Sequence, residues 1–357
     1  MTPEKRAAVA TPASLKAIAA RVDSRLRALL DEEVRRWADL DVDLVPPLES
    51  LALLVLGSGK RLRPAFCHWG YVGAGGNPDA AQVVDAGAAF EMLHAFALIH
   101  DDVMDGSPTR RGAQTTHLEF AAHHAVDGWR GEARRFGEGV AILVGDLAFV
   151  YADLLMRGAP ETALDVWNEL RVELNIGQYL DILGTARGDT DHAGARRIAS
   201  YKSGKYTVER PLHLGAALAG RLDELAAAYS AYGLPLGEAF QLRDDILGAF
   251  GDSALTGKPV GDDLREGKPT PLLAIAVSRC GPEAVPLLER VGAPDLDPSE
   301  VAALQTLLVD TGALDEVEEA IAHLTAEALD AVEVAPIGDE ARAELVELAH
   351  YVAWRDK

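Results

Sequence analysis

Residues 89–112 read AFEMLHAFALIHDDVMDGSPTRRG. The apolar run from Ala89 to Ile99 has helix-forming residues and helical length, and Gly106 followed by Pro108 supplies the stop. Asp101, Asp102 and Asp105 therefore crowd the last turn of a helix. That end carries a partial negative charge, which disfavours each anion by about 0.3–1 kcal/mol. Asp101 and Asp105 also lie one turn apart on one face and repel each other. At ~5 Å and an effective dielectric of ~20 the repulsion is about 3 kcal/mol, and full hydration shrinks it to well under ~1 kcal/mol. Two readings stay open here: a solvated helix end, or a place where a cation belongs. Because successive residues advance about 100° around a helix, His94, Asp101 and Asp105 form one stripe roughly 40° wide, with Asp102 beside it.

Outward from this stretch the helical pattern continues nearly everywhere. It predicts helices over 13–40, 46–57, 64–74, 78–104, 115–124, 138–157, 160–183, 192–201, 205–219, 222–249, 269–279, 282–291, 298–311, 313–332 and 338–354. Alternating Val/Ile runs are missing, so the fold class is all-α. Gly/Pro breaks such as GSGKRLRP, GAGGNPD and DGSPTRRG separate the helices, and 123–138 reads as a loop insertion. No short-period repeat points to a solenoid. Residues 1–12 read as a flexible tail and 13–357 as a single helical domain, since large all-helical folds reach this length around one core. A second acidic pair, Asp244–Asp245, ends another apolar helix; there Gln241, Asp245 and Gly248 share a stripe flanked by Asp244.

Composition narrows the function. A net charge of −22 argues against a nucleic-acid partner. No apolar run reaches the ~18 residues of a membrane span, and the first residues, MTPEKRAAVATPAS, lack the pattern of a secretory signal. Cys67 and Cys280 show no metal spacing and fit a reducing cytoplasm. Of eight lysines, five (Lys60, Lys202, Lys205, Lys258 and Lys268) sit in Gly-, Ser- or Pro-containing segments. If the two acidic helices face each other, their hard oxygen ligands suit magnesium, which takes one or two carboxylates and completes its shell with water and phosphate oxygens. Sulfur and imidazole ligands for zinc are nearly absent. Arginine and lysine then serve as phosphate grips.

These residues carry a family resemblance. LIHDDVMDGSPTRRG (98–112), GKRLRP (59–64), GQYLD (177–181), YKSGKYT (201–207) and FQLRDDILGAFGD (240–252) followed by TGKPVGDDLREGKPTP (256–271) resemble, in order, the motifs of the trans-isoprenyl diphosphate synthases. The resemblance implies an all-helical bundle around a central cavity, usually a homodimer, that condenses isopentenyl diphosphate with an allylic diphosphate. It implies Asp101, Asp105 and Asp244 as ligands of magnesium, three ions per site, with Asp102 and Asp245 in support. Arg110, Lys202, Gln241, Lys258 and Lys268 would hold the allylic diphosphate or its metal shell. Gly59, Lys60, Arg63, His94 and Arg111 would hold isopentenyl diphosphate, and Gln178, Asp181 and Ser203 would line the reaction centre. Phe96 and Ala97, one turn before Asp101, would form the cavity floor and resemble those of synthases making the twenty-carbon geranylgeranyl product, with farnesyl diphosphate the alternative.

The sequence departs from the family at Gly248, where a third aspartate often stands, and at Ser203, which keeps the hydroxyl of a common threonine. Lys205 reads as surface, and 262–266 as a solvated loop with some scope to close over substrate. Three rivals remain. A class I terpene cyclase needs no second diphosphate pocket and leaves Lys60, Arg63 and Arg111 unexplained. A carboxylate-bridged di-iron bundle matches Glu91-x-x-His94 and Glu347-x-x-His350 in spacing but leaves the lysine motifs unexplained. A non-catalytic regulatory subunit usually has degraded aspartate motifs, and these are intact.

Overall fold

The computed structural model describes residues 9–57, 59–187, 200–251 and 260–355, with the backbone alone at 200–203. The described residues are almost entirely helical, and the expected helices recur with boundaries shifted by a few residues. The expected helix over 192–201 lies almost wholly outside them. The chain forms two compact units, one from 13–68 and 77–160 and the other from 1–12, 69–76 and 161–357.

The first unit contains α1 (Ala13–Ala38), α2 (Pro46–Leu56), the start of α3 (Leu62–Gly73), α4 (Ala81–Asp105), α5 (Thr116–Val126) and α6 (Ala133–Leu155). α4 packs against α1, α2 and α6, and α5 packs on α6. One face of α1, Leu15, Ile18, Val22, Leu26 and Leu30, is buried at the 3–4 residue spacing of an amphipathic helix. Small residues Ala86 to Ala89 line the middle of α4, and a Cβ at Gly87 would sit only 3.0 Å from Val22 and 3.2 Å from Pro64. α4 is long and apolar enough to cross a membrane, yet 61% of its most apolar window is buried inside the unit, so its apolarity serves the core. The expected loop insertion over 123–138 is shorter than read, because α5 continues to Val126 and α6 begins at Ala133. The connection is residues 127–132, and His124 at the end of α5 is buried with its Nε2 3.1 Å from the Arg130 carbonyl. Between α4 and α5 a two-residue antiparallel pair, β1 (Thr109–Arg110) and β2 (Ala113–Gln114), turns on Arg111 (φ 53°) and Gly112 (φ 78°). Positive φ at both central residues is the type I′ hairpin turn, and pattern reading missed a ladder this short.

The second unit contains α7 (Glu161–Arg187), a π-helical segment (Ser200–Glu209), α8 (Arg210–Leu218), α9 (Leu222–Phe250), α10 (Asp262–Glu266), α11 (Pro271–Arg279), α12 (Val285–Leu288), α13 (Pro298–Asp310), α14 (Ala313–Glu333) and α15 (Asp339–Trp354). α9 packs against the π-helical segment and α8, α10, α11, α14 and α15. Two glycines one turn apart let the backbones approach: a Cβ at Gly233 would lie 2.8 Å from the Glu209 Cα, and one at Gly237 2.6 Å from the Gly204 carbonyl oxygen. Arg243 anchors the other side of α9, donating to both Glu318 carboxylate oxygens at 2.8 and 2.6 Å and to the Ala353 carbonyl at 2.7 Å. Residues 262–266, expected as loop, form the helix α10 between Gly261 and Gly267, both left-handed.

Candidate active site

In the first unit α4 carries most of the site. Its C-terminus closes on Gly106 (φ 66°), whose N–H bonds the Asp102 carbonyl, so all three aspartates lie within the final helical turn. Asp102 is buried, and its Oδ1 accepts Arg110 Nε at 2.9 Å and Nη2 at 2.5 Å. Burial raises the Asp102 carboxyl above its ordinary range, and the Arg110 guanidinium opposes that rise. Asp101 stands 3.8 Å from the same guanidinium, and Asp105 is exposed. The Arg110 guanidinium thus lies closest to Asp102 and within 3.8 Å of Asp101.

One to three turns upstream lies a basic pocket. Arg61, in the left-handed region (φ 54°), turns its buried side chain inward before α3 begins; it donates to Asp23 (2.8 Å), Glu91 (2.5 Å) and the Val55 carbonyl (2.7 Å). Arg111, also left-handed, donates to the Leu54 carbonyl at 2.9 Å. Gly59 explains itself here, since a Cβ would meet Arg61 Nη1 at 2.7 Å and Arg111 Nη2 at 3.5 Å. Burial, then Arg63, Arg111, Arg110 and Arg61 together hold His94 well below the ordinary imidazole range, so it is neutral at pH 7. Burial and three of those neighbours, Arg61, Arg110 and Arg63, lower the Arg111 guanidinium, with Glu91 opposing. Two of these guanidinia are committed to carboxylates, Arg61 to Asp23 and Glu91 and Arg110 to Asp102, and Arg63 and Arg111 add the charge beside neutral His94 that suits an anion. Lys60 lies half-buried at its edge in sequence. The floor residue Phe96 packs its ring 4.9 Å from Phe149 and 4.6 Å from His100, and Ala97 beside it is half-buried.

In the second unit the C-terminal half of α9 carries the other acidic pair. Gln241 Nε2 donates to Asp245 Oδ1 at 2.8 Å, which places both on the expected stripe. Burial, followed by the Asp263 carboxylate, pushes the Asp245 carboxyl up to about 8. Asp244 accepts Arg355 at 2.5 Å. Asp263, expected on a solvated loop, is only 13% exposed, and its carboxylate occupies the space over Gly248 that a side chain there would need. Lys268 pairs with Glu266 at 2.6 Å and Asp263 at 3.5 Å. Gln178 and Asp181 lie half-buried on α7. Lys202 and Ser203 fall on the π-helical segment by backbone, and Lys258 lies outside the described residues. Lys205, expected at the surface, is instead half-buried and donates to the buried Glu173 carboxylate at 2.8 Å.

The di-iron alternative fails on geometry: Glu91 is held by Arg61, while Glu347 and His350 are exposed on α15. Among the described residues no three His, Cys, Asp or Glu side chains form a ready-made metal cage. The donors are carboxylate oxygens, with Asp245 held protonated by burial first and the Asp263 charge second, and an all-oxygen set fits a hard cation that keeps its waters and shares phosphate oxygens. Sequence reasoning missed Arg61, Asp263, Phe149 and Arg355. Only Arg61 and Asp263 stood inside quoted motifs.

A sequence model described as polyprenyl synthetase matches residues 47–308. A geranylfarnesyl diphosphate synthase of Aeropyrum pernix is 32% identical over 304 residues, covering 83% of this chain and 89% of that protein. A geranylgeranyl diphosphate synthase of Sulfolobus acidocaldarius is 35% identical over 245 residues, 66% of this chain and 68% of the relative. A crystal structure of geranylgeranyl pyrophosphate synthase from Corynebacterium glutamicum, complexed with isoprenyl diphosphate and magnesium, superposes with a TM-score of 0.90 at 39% identity, covering 96% of this chain and 99% of that one.

Proposed function

The chain belongs to the polyprenyl synthetase family and is a trans-prenyltransferase, and on that premise we propose that it condenses an allylic diphosphate with isopentenyl diphosphate, using magnesium, to make geranylgeranyl diphosphate. The observation that carries the reading is the group Arg61, Arg63 and Arg111 beside His94, two turns along α4 before Asp101, with Gly59 left bare under Arg61 and Arg111. A lyase acting on a single diphosphate has no use for a second anion pocket.

Asp101, Asp105 and Asp244 would hold magnesium, and the all-oxygen donor set fits it. When bound, the ions supply positive charge to the departing diphosphate as negative charge develops on it. Arg110 keeps the Asp102 carboxylate in place at the end of α4, so the aspartates beside it are presented rather than folded back. Arg63 and Arg111 hold the diphosphate of isopentenyl diphosphate, with Lys60 and neutral His94 beside them; a charged histidine would add to an already crowded set of cations. Heterolysis of the allylic C–O bond leaves an allylic cation and free diphosphate. The double bond of isopentenyl diphosphate attacks that cation, and the proton lost in forming the new double bond passes to the diphosphate. No protein base of high strength is needed, which accords with the absence of a Ser/His/Asp or Cys/His set in the sequence.

The floor supports a twenty-carbon product: Phe96 is braced by Phe149 and His100 one turn before Asp101. Apolar residues exposed along α6 (Leu143, Val150, Leu154) and along α7 (Val172, Ile176, Tyr179) support a homodimer. The deciding experiment is incubation of the purified protein with isopentenyl diphosphate and dimethylallyl, geranyl or farnesyl diphosphate, with magnesium or with excess EDTA, and mass spectrometry of the products. Elongation to twenty carbons that stops without the metal is expected; cyclic hydrocarbons without elongation would overturn the reading.

A further inference from the structure

Arg355, third from the last residue of the chain, has a fully buried side chain. A guanidinium withdrawn from water needs partners. On α9, Nη2 donates to Asp244 Oδ1 at 2.5 Å and to the Phe240 carbonyl at 3.3 Å, and the group stacks 4.4 Å from the centroid of the Phe240 ring; Nη1 donates to the Val352 carbonyl on α15, and Nε makes no hydrogen bond among the described residues. Phe240 is one turn before Asp244, so the aromatic face and the carboxylate bracket the guanidinium from one helix. Asp244, by contrast, keeps a side chain 39% exposed. One of its oxygens is fixed from inside the unit and the carboxylate still reaches solvent.

We propose that Arg355 is a positioning residue for Asp244: it pins Oδ1 so that the carboxylate meets the divalent ion of the bound diphosphate in one orientation. This rests on the reading of Asp244 as a metal ligand. Outer partners that orient a ligating side chain are worth 10–100-fold in metal affinity or activity in other metal sites. The competing effect is electrostatic, because a nearby cation weakens attraction of Asp244 for another cation. Orientation dominates here for two reasons. The guanidinium is already stacked and bonded in place, and the Asp263 carboxylate over Gly248 adds negative charge along the same helix.

The test compares wild type, Arg355→Gln and Arg355→Lys, each also in an Asp244→Asn background. Two quantities are read: the magnesium concentration giving half-maximal rate, and the affinity for Mn²⁺ with inorganic pyrophosphate, from the electron paramagnetic signal of free Mn²⁺. Arg355→Gln should weaken both about tenfold while kcat at saturating magnesium stays within about threefold. Lysine, which keeps the charge without the fork, should recover part of the loss. In the Asp244→Asn background Arg355→Gln should add nothing. Unchanged or tighter metal binding in Arg355→Gln overturns the proposal, as does an equal loss in the Asp244→Asn background. If Arg355→Gln does not fold, the Mn²⁺ affinity of Arg355→Lys decides, a value equal to wild type counting against it. Should Asp244→Asn itself leave both readouts unchanged, the ligand assignment fails instead.

Discussion

Gly59 has no room for a side chain because two guanidinia pass over it. Gly59→Ala should therefore raise KM for isopentenyl diphosphate about tenfold, a loss of ~1.4 kcal/mol, with kcat little changed; steady-state kinetics with each substrate varied in turn checks this. Asp101 differs, since it is half-buried and the Arg110 guanidinium 3.8 Å from it is already bound to Asp102. Removing it takes little from the fold. Asp101→Ala should lower kcat by ~100-fold or more while the melting temperature stays within ~2 °C of wild type. At Asp245 the carboxyl is raised to about 8 from an ordinary 3.8, so the folded chain keeps a proton that the unfolded chain releases. Stability of the metal-free protein is thus fully retained below about pH 4 and declines as pH rises toward 8, by at most ~1.4 kcal/mol per pH unit from this group. Thermal melts across that range should show a shallower decline in Asp245→Asn.

Helix-level packing sets where these side chains point. Gly233 and Gly237 bring α9 against the π-helical segment at backbone contact, and π-helical turns are a common device at functional sites. Gly237→Ala pushes a methyl into the Gly204 backbone, and overpacking of this kind destabilises by about 1–3 kcal/mol. The melting temperature should fall by roughly 2–4 °C per kcal/mol, and since Gln241 and Asp244 follow one and two turns later, activity should fall with it. The floor belongs to this scale too, because Phe96 on α4 is braced by Phe149 on α6. Phe96→Ala should lengthen the product by at least one isoprene unit in mass spectrometric analysis; unchanged length would mean the floor lies elsewhere.

At the scale of the whole molecule, the apolar stripes left exposed on α6 and α7 need a cover. If the proposed homodimer uses them, Leu143→Glu combined with Ile176→Glu should lower the mass in size-exclusion chromatography with light scattering to that of one chain. The helices, their order and the two acidic motifs were all legible in the sequence. Helical periodicity and Gly/Pro punctuation are local signals, and carboxylates at the end of an apolar helix violate a local rule strongly enough to be noticed. Arg61 carries no signal beyond its place in GKRLRP and Asp263 reads as solvated loop, because a left-handed turn at Arg61 and the short helix α10 redirect their side chains and neither carries a periodic signature. Arg355 had no signal at all, since its contact with Asp244 spans 111 positions of chain. The helical class, the acidic helix ends and the basic motifs can be read from the chain alone, because they follow from side-chain spacing along one element. Which carboxylate receives which guanidinium, which carboxyl stays protonated and which glycine must stay bare were decided only by tertiary packing, because each depends on distances of a few ångströms between segments far apart in the chain.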